Sequence, residues 1–316
     1  ASNGRALSFI DHHLKVGDSI IGTDRTKIER FKHNDKIYIF DVSYNTLMQP
    51  ILNKYEKIKK IGSQTKNDVD LQKEIYKQID DELKLLKSKY DYCLASKYKG
   101  DIENEIKYAE IMNASNLKVF ENESACELLA FAKEKQFFHW ELEFPEVFEK
   151  GGFDILIGNP PYVDVNGQKY NTIIKETINC RNLYTYMAEV GIKYLSSNGR
   201  YGSILPSASV CTPRMRDFQD LIIENSKELF ISTYDDRPGK IFVNLESIAI
   251  ILMTKKTYSE EKTSVYVTKY NRFFTSERKQ LFNKLKYIPV NKSQIKNGYI
   301  PKFGDNREKT IYKKLF

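Results

Sequence analysis

The residues best suited to chemistry lie together in one short stretch. In FDILIGNPPYVDV (Phe153–Val165) an apolar run meets Asn159-Pro160-Pro161-Tyr162. Two consecutive prolines donate no backbone hydrogen bonds, so a strand has to stop there. Asn159 precedes a proline and is pushed toward an extended conformation. The stretch therefore reads as a buried strand that ends in a stiff loop. That loop offers the Asn159 side-chain oxygen and the Pro160 carbonyl as two acceptors, together with the flat ring of Tyr162. The two acceptors suit the two hydrogens of an amino group on a planar ring. Accepting both hydrogens draws electron density onto the nitrogen and favours its nucleophilic, pyramidal form, and an aromatic side chain can stack on the ring itself. A proline turn capping a strand, with Tyr162 as packing, is the simpler alternative.

The elements around the loop alternate. FDILIG is followed by the amphipathic NLYTYMAEVGIKYLSS, the strand-like GRYGSILP and the amphipathic RMRDFQDLIIENS. Then come LFISTYDD, ESIAIILMTKK and SVYVTKY. Strand–helix alternation with apolar strands predicts an α/β domain with a largely parallel sheet, and the helix-free connections at its end predict an antiparallel edge. In open sheets of this kind ligands bind beyond the carboxyl ends of the strands, where the Asn159 loop falls. Upstream, LKVGDSII (residues 14–21) reads as a short strand with a turn at Gly17-Asp18. From about Gln49 to Gln136 apolar residues recur three and four apart, which predicts packed amphipathic helices. That region is close to electrically neutral, with 13 basic and 12 acidic residues between Ile51 and Glu110.

The formal charge of +8 belongs to the other end. Lys255–Phe316 holds 16 Lys and Arg against 5 Asp and Glu, which leaves 34 against 37 for the remainder. A localised positive field suits a polyanion such as nucleic acid, and a solvated lysine-rich surface has the same composition. No apolar run reaches the length of a membrane span, and no charged-then-apolar leader opens the sequence. Cys93, Cys126, Cys180 and Cys211 are widely spaced, which argues against a disulfide framework and fits a reducing cytoplasm. His12, His13, His33 and His139 have no metal-ligand spacing, so no metal is expected.

Asn-Pro-Pro-Tyr after an apolar strand resembles the signature of amino-group DNA methyltransferases. FHWELEFPEVFEKGGFDILIGNPPYV (Phe138–Val163) narrows the resemblance to adenine-N6 enzymes of the type IIG-like, single-chain restriction–modification family. RNLYTYMAEVGIKYLSSNGRYGSILP, KIFVNLESIAIILMTKK and GYIPKFGDNREKTIYKKL follow in that family's order. The resemblance implies a partial Rossmann-like methyltransferase sheet with a long helical insertion, S-adenosyl-L-methionine as cofactor, and double-stranded DNA with a flipped adenine as partner. It implies that Asn159 and the Pro160 carbonyl bind the target amino group, that Tyr162 stacks on the flipped base, and that Phe242 contacts the base from its other side. Asp18 matches the acidic residue that bonds the cofactor's adenine, with Pro161 packing near it.

On this resemblance residues 1–25 are the start of the sheet, 26–136 the helical insertion, 137–270 the catalytic core and 271–316 a basic linker toward a target-recognition domain. The glycine-rich cofactor loop of the family is expected upstream of the Asp18 segment and is not among these residues. An internal piece of a larger enzyme, inactive by itself, is therefore the expectation, and specificity or nuclease domains would share the full-length chain. Two other readings compete. One is an inactive DNA-binding or assembly subunit of a defence system; the other is a protein-glutamine methyltransferase, a compact class that also carries Asn-Pro-Pro-Tyr.

Overall fold

The computed structural model describes residues 13–25, 28, 30–33, 36–39, 44–62, 65–100, 105–166, 170, 173–242, 247–258, 262–296 and 298–315. Asp11 and His12, and residues 243–246 of the KIFVNLES stretch, lie outside them. The chain divides into two compact units, Ala1–Lys150 and Gly151–Phe316.

The first unit is mainly helical. A two-stranded antiparallel ribbon, β1 (Arg30–His33) and β2 (Lys36–Ile39), precedes α1 (Tyr44–Ile61), α2 (Lys66–Lys99), α3 (Glu105–Asn113) and α4 (Glu123–Glu134). Two short helices follow, α5 (Trp140–Glu143) and α6 (Pro145–Phe148). The start of α2 is written in the sequence: the Thr65 hydroxyl accepts from the Asp68 amide at 3.1 Å and the Asp68 carboxylate accepts from the Thr65 amide at 2.7 Å. Such reciprocal capping satisfies two amides that a helix start leaves without partners. Gly100 ends α2 in the left-handed region at φ 70°. Ile79, Leu83, Leu86, Tyr90 and Cys93 recur at alternating four- and three-residue steps, and all five are buried in one cluster with residues of α1, α3 and α4. The helical periodicity expected for this region is thus realised.

The 14–21 segment differs from its expected strand. Asp18 makes an isolated bridge to Phe137, its amide donating to the Gln136 carbonyl at 2.8 Å, and the chain turns immediately afterwards. Gly17 and Asp18 favour a turn over a continuous ladder.

The second unit is an α/β layer. Its strands are β3 (Phe153–Gly158), β4 (Leu195–Pro206), β5 (Ser226–Tyr234), β6 (Ile248–Lys255), β7 (Ser264–Asn271) and β8 (Ile288–Val290). The helices are α7 (Leu183–Lys193), α8 (Arg216–Asn225) and α9 (Asn306–Leu315). The order across the sheet is β3-β4-β6-β5-β7-β8, with β3–β4 and β5–β7 parallel and the other three pairings antiparallel. The sheet is therefore mixed, and its antiparallel character is not confined to an edge. A return from β5 to β6 without a crossover helix forces β6 to run antiparallel, and it slots between β4 and β5. The helix predicted over NLYTYMAEVGIKYLSS ends at Lys193, and its last residues open β4. Leu205, Leu229, Ile231, Ala249, Ile251, Val265 and Val267 form the buried layer with residues of α7 and α8. The basic stretch after Asn271 adds Ile288, Val290, Ile300 and Phe303 to the same core.

β3 pairs with β4, and among the described residues no strand lies on its other side; Ile155 and Ile157 are 62% and 78% exposed there. Phe153 and Leu156 pack against the core, a register irregularity between Phe153 and Ile155 setting the alternation.

Candidate active site

Strand directions decide which loops can meet. β3, β4, β5 and β7 run parallel to one another and β6 runs against them. The segments after β3, β4 and β5 and the segment before β6 therefore share one end of the sheet. Asn159–Tyr162 follows β3, and Phe242 lies six residues before β6, so both stand at that end.

Entry into β3 needs glycine. Gly152 has φ 116°, and a Cβ there would sit 2.5 Å from the Tyr194 carbonyl. After the strand, Asn159 is exposed, Pro160 buried, Pro161 exposed and Tyr162 half-buried. The Tyr162 hydroxyl lies 3.0 Å from Asn159 Oδ1 and 3.1 Å from the Ile204 carbonyl of β4. Its ring packs on the core and meets Tyr184 edge to face at 6.3 Å. Burial pushes the Tyr162 phenol above its ordinary value, so it remains a protonated donor. Ile204 connects the two parts of the site: its carbonyl faces Tyr162, while its side chain packs in the cluster of Tyr234, Ile248, Phe273 and Leu281 that also holds Phe242.

The loop beyond Tyr162 is tied down twice. Leu183 donates to the Val163 carbonyl and Val165 to the Arg181 carbonyl, each at 3.0 Å. Asp164 Oδ1 accepts from Asn182 Nδ2 at 2.9 Å and from Arg214 at 3.0 Å. Asn182 also caps α7, accepting from the Tyr184 amide. Farther along, Glu189 of α7 takes the Lys175, Glu176 and Thr177 amides and the Thr177 hydroxyl on its two oxygens. A carboxylate with four donors holds its loop firmly, because charge-assisted hydrogen bonds are about twice as strong as neutral ones. Sequence reasoning missed Glu189, Asp164 and Ile204. Only the Asn182 cap, a polar residue just before an apolar-periodic run, had a local signal.

Asp18 stands in the first unit. Its Oδ1 accepts from the Ile20 amide at 3.1 Å, which shapes the turn, and Oδ2 accepts no hydrogen bond among the described residues. Two glycines let this segment run tightly along Phe138: a Cβ at Gly22 would lie 2.0 Å from the Phe138 carbonyl. His139, singled out in the sequence only as a lone histidine, is buried with Nδ1 accepting from the Thr23 amide and Nε2 facing Asp91 at 3.0 Å. Among the described residues no group of three or more His, Cys, Asp and Glu is placed to hold a metal ion. No helix among them is long and apolar enough to cross a membrane.

The model of a known family matches residues 45–242 of this chain. The chain belongs to the Eco57I restriction-modification methylase family. The match to that family takes in most of the helical unit and runs through Asn159–Tyr162 to Phe242. A curated relative, a candidate type II restriction enzyme and methyltransferase of Methanocaldococcus jannaschii, is 27% identical over 133 residues, 41% of this chain. Among solved structures, the ATP-dependent Type ISP restriction-modification enzyme LlaBIII bound to DNA overlaps 56% of this chain at 15% identity, with a TM-score of 0.36. A nuclease-deletion mutant of the Type ISP enzyme LlaGI, in complex with a DNA substrate mimic, overlaps 62% at 15% identity, with a TM-score of 0.37. The chain spans 11% of the length of the curated relative and 14% and 18% of these two solved chains.

Proposed function

We propose that this chain carries the base-binding part of a site-specific DNA adenine-N6 methyltransferase that uses S-adenosyl-L-methionine, within a restriction–modification or related phage-defence system in the cytoplasm. The observation that carries this reading is the exposed Asn159 amide beside Pro160, held at a strand's carboxyl end by a tyrosine whose hydroxyl is anchored to the neighbouring strand. Membership of a methylase family supports it.

Adenine has to leave the duplex to reach such a loop, at a cost of a few kcal/mol of unstacking and unpairing. Stacking on Tyr162 and contact with Phe242 offset part of that cost. Asn159 Oδ1 and the Pro160 carbonyl accept the two amino hydrogens and hold the nitrogen lone pair toward the methyl donor, so positioning supplies much of the catalysis. S-adenosyl-L-methionine, when bound, supplies an electrophilic sulfonium methyl. Toward its nucleoside end, Asp18 keeps Oδ2 available to an adenine amino group after Oδ1 has shaped the turn. In domain terms, residues 26–136 act as an insertion, 137–270 as the catalytic core and 271–316 as a basic segment that contacts DNA phosphates.

The test is transfer of labelled methyl groups from S-adenosyl-L-methionine to adenine-containing duplex DNA by the full-length protein, beside Asn159→Ala. Loss of one preorganised polar group is expected to slow transfer about 10²–10³-fold. Because Asn159 is exposed, the unfolding midpoint should stay where it is. Transfer unaffected by the substitution, or none to DNA from the unsubstituted protein, sinks the reading and favours an assembly subunit or a protein methylase.

A further inference from the structure

A hydroxyl has one proton, and the Tyr162 hydroxyl faces two oxygens, Asn159 Oδ1 at 3.0 Å and the Ile204 carbonyl at 3.1 Å. It can donate to only one of them. If it donates to Asn159, the amide turns its NH₂ outward and presents two donors to whatever binds at the loop. If it donates to Ile204, its lone pair faces the amide instead. A half-turn about the last side-chain bond then lets Asn159 donate N–H to the hydroxyl and turns Oδ1 outward as an acceptor. The second arrangement makes two intramolecular hydrogen bonds where the first makes one. The Ile204 carbonyl is fixed in a strand and cannot move away from the hydroxyl.

We propose that the Tyr162 hydroxyl is a positioning group that sets the orientation of the Asn159 amide, so that Asn159 presents an acceptor rather than a donor to the substrate amino group. The proposal rests on the amino-methyltransferase reading and assigns the phenol a role separate from stacking by its ring. The high phenol pKa keeps the proton needed for the Ile204 bond. Without the hydroxyl, both amide orientations remain open, and the one that offers NH₂ to an amino group is unproductive. Asn159 has no other hydrogen-bond partner among the described residues that could choose between them.

The symmetry of a carboxylate gives a test that a merely structural role would not pass. Both oxygens of a carboxylate accept, so Asn159→Asp has no wrong orientation and no need of the hydroxyl. Full-length protein is assayed for methyl transfer to duplex DNA as wild type, Tyr162→Phe, Asn159→Asp and the double variant, with unfolding midpoints recorded. Tyr162→Phe keeps the ring. It is expected to lower kcat about twofold, the loss when one amide orientation gives way to an even mixture of two. KM for DNA and for cofactor should stay within about twofold. In the Asn159→Asp background the same substitution is expected to leave kcat unchanged.

An equal loss in both backgrounds overturns the proposal and makes the hydroxyl a support for the ring. No loss in the Asn159 background also overturns it, and if Asn159→Ala is inactive in the same assay, the methyltransferase reading survives. Absence of transfer by the wild type removes both.

Discussion

Buried polar groups tie segments together in both units, as Gln219 does in the sheet unit with the Ser209 and Gly298 carbonyls, but the two units differ in the polar groups they leave open. In the helical unit the buried groups hold elements together. Gln72 donates to the Ile58 carbonyl at 3.1 Å, Lys89 to the Met112 carbonyl at 2.7 Å, and His139 lies between the Thr23 amide and Asp91. Each of these contacts joins two segments far apart in sequence, and each makes sense as architecture. In the sheet unit the informative polar groups stand at strand ends. Asn159 is exposed, Asp164 and Asn182 pair across the loop, and the Tyr162 hydroxyl reaches β4. Perturbed titration is therefore a poor guide to function here. Cys93, pushed up to about 12 by burial, belongs to the helical core. The better guide is a polar group held rigidly and still left open.

That contrast can be broken or sharpened. The largest effect on stability is expected in the helical stripe. Leu83 is 1% exposed in the main helical cluster, and Leu83→Ala is expected to cost ~2–5 kcal/mol of unfolding free energy, read by urea denaturation. Asn159→Ala, by contrast, should leave the denaturation midpoint unmoved while abolishing most transfer. A midpoint shift for Asn159→Ala comparable to that of Leu83→Ala would end the distinction between a supporting unit and an open site.

A smaller effect is expected at Glu189, whose carboxylate gathers three backbone amides and the buried Thr177 hydroxyl. Glu189→Gln keeps the shape and removes the charge. It is expected to cost ~1–2 kcal/mol and to speed amide exchange at Lys175, Glu176 and Thr177, with the β5 and β6 amides unaffected. Uniform acceleration across the sheet would mean that Glu189 supports the whole unit and not the loop alone.

The smallest effect is a pH dependence in the helical unit. Burial alone would raise the Glu143 carboxyl, but the ammonium groups of Lys87 at 2.9 Å and Lys15 at 3.2 Å outweigh it and hold the carboxyl below its ordinary value. A carboxyl lowered in the folded state contributes stability above its unfolded value near 4.5, and that contribution is lost as the pH falls through the folded value. Denaturation midpoints between pH 7 and pH 3 should therefore fall less steeply in Glu143→Gln than in wild type. Parallel curves would assign the acid sensitivity to other carboxylates.

Much of the architecture was legible in the residues. The stripe of Ile79, Leu83, Leu86, Tyr90 and Cys93 and the halt of a strand at two prolines depend on neighbours within four positions, as does the Thr65–Asp68 cap that sequence reasoning passed over. Local sterics and one-turn spacing dictate such features wherever the segment later packs. The place of Asn159–Tyr162 at a strand's carboxyl end was legible for the same reason.

The sequence could not say which strand β3 pairs with, because an apolar run reads alike wherever it lies in a sheet. Nor could it insert β6 between β4 and β5, since strand order depends on which hydrogen-bonding edges remain open when the chain returns. The partners that fix the site, Ile204 at 42 residues from Tyr162 and Glu189 at 12 from Thr177, lie beyond any local pattern. From the sequence by itself came the tetrapeptide, the helical stripe and the basic end of the chain. Tertiary structure alone decided which carbonyl meets the Tyr162 hydroxyl, because that depends on the register of two paired strands and not on the identity of either residue.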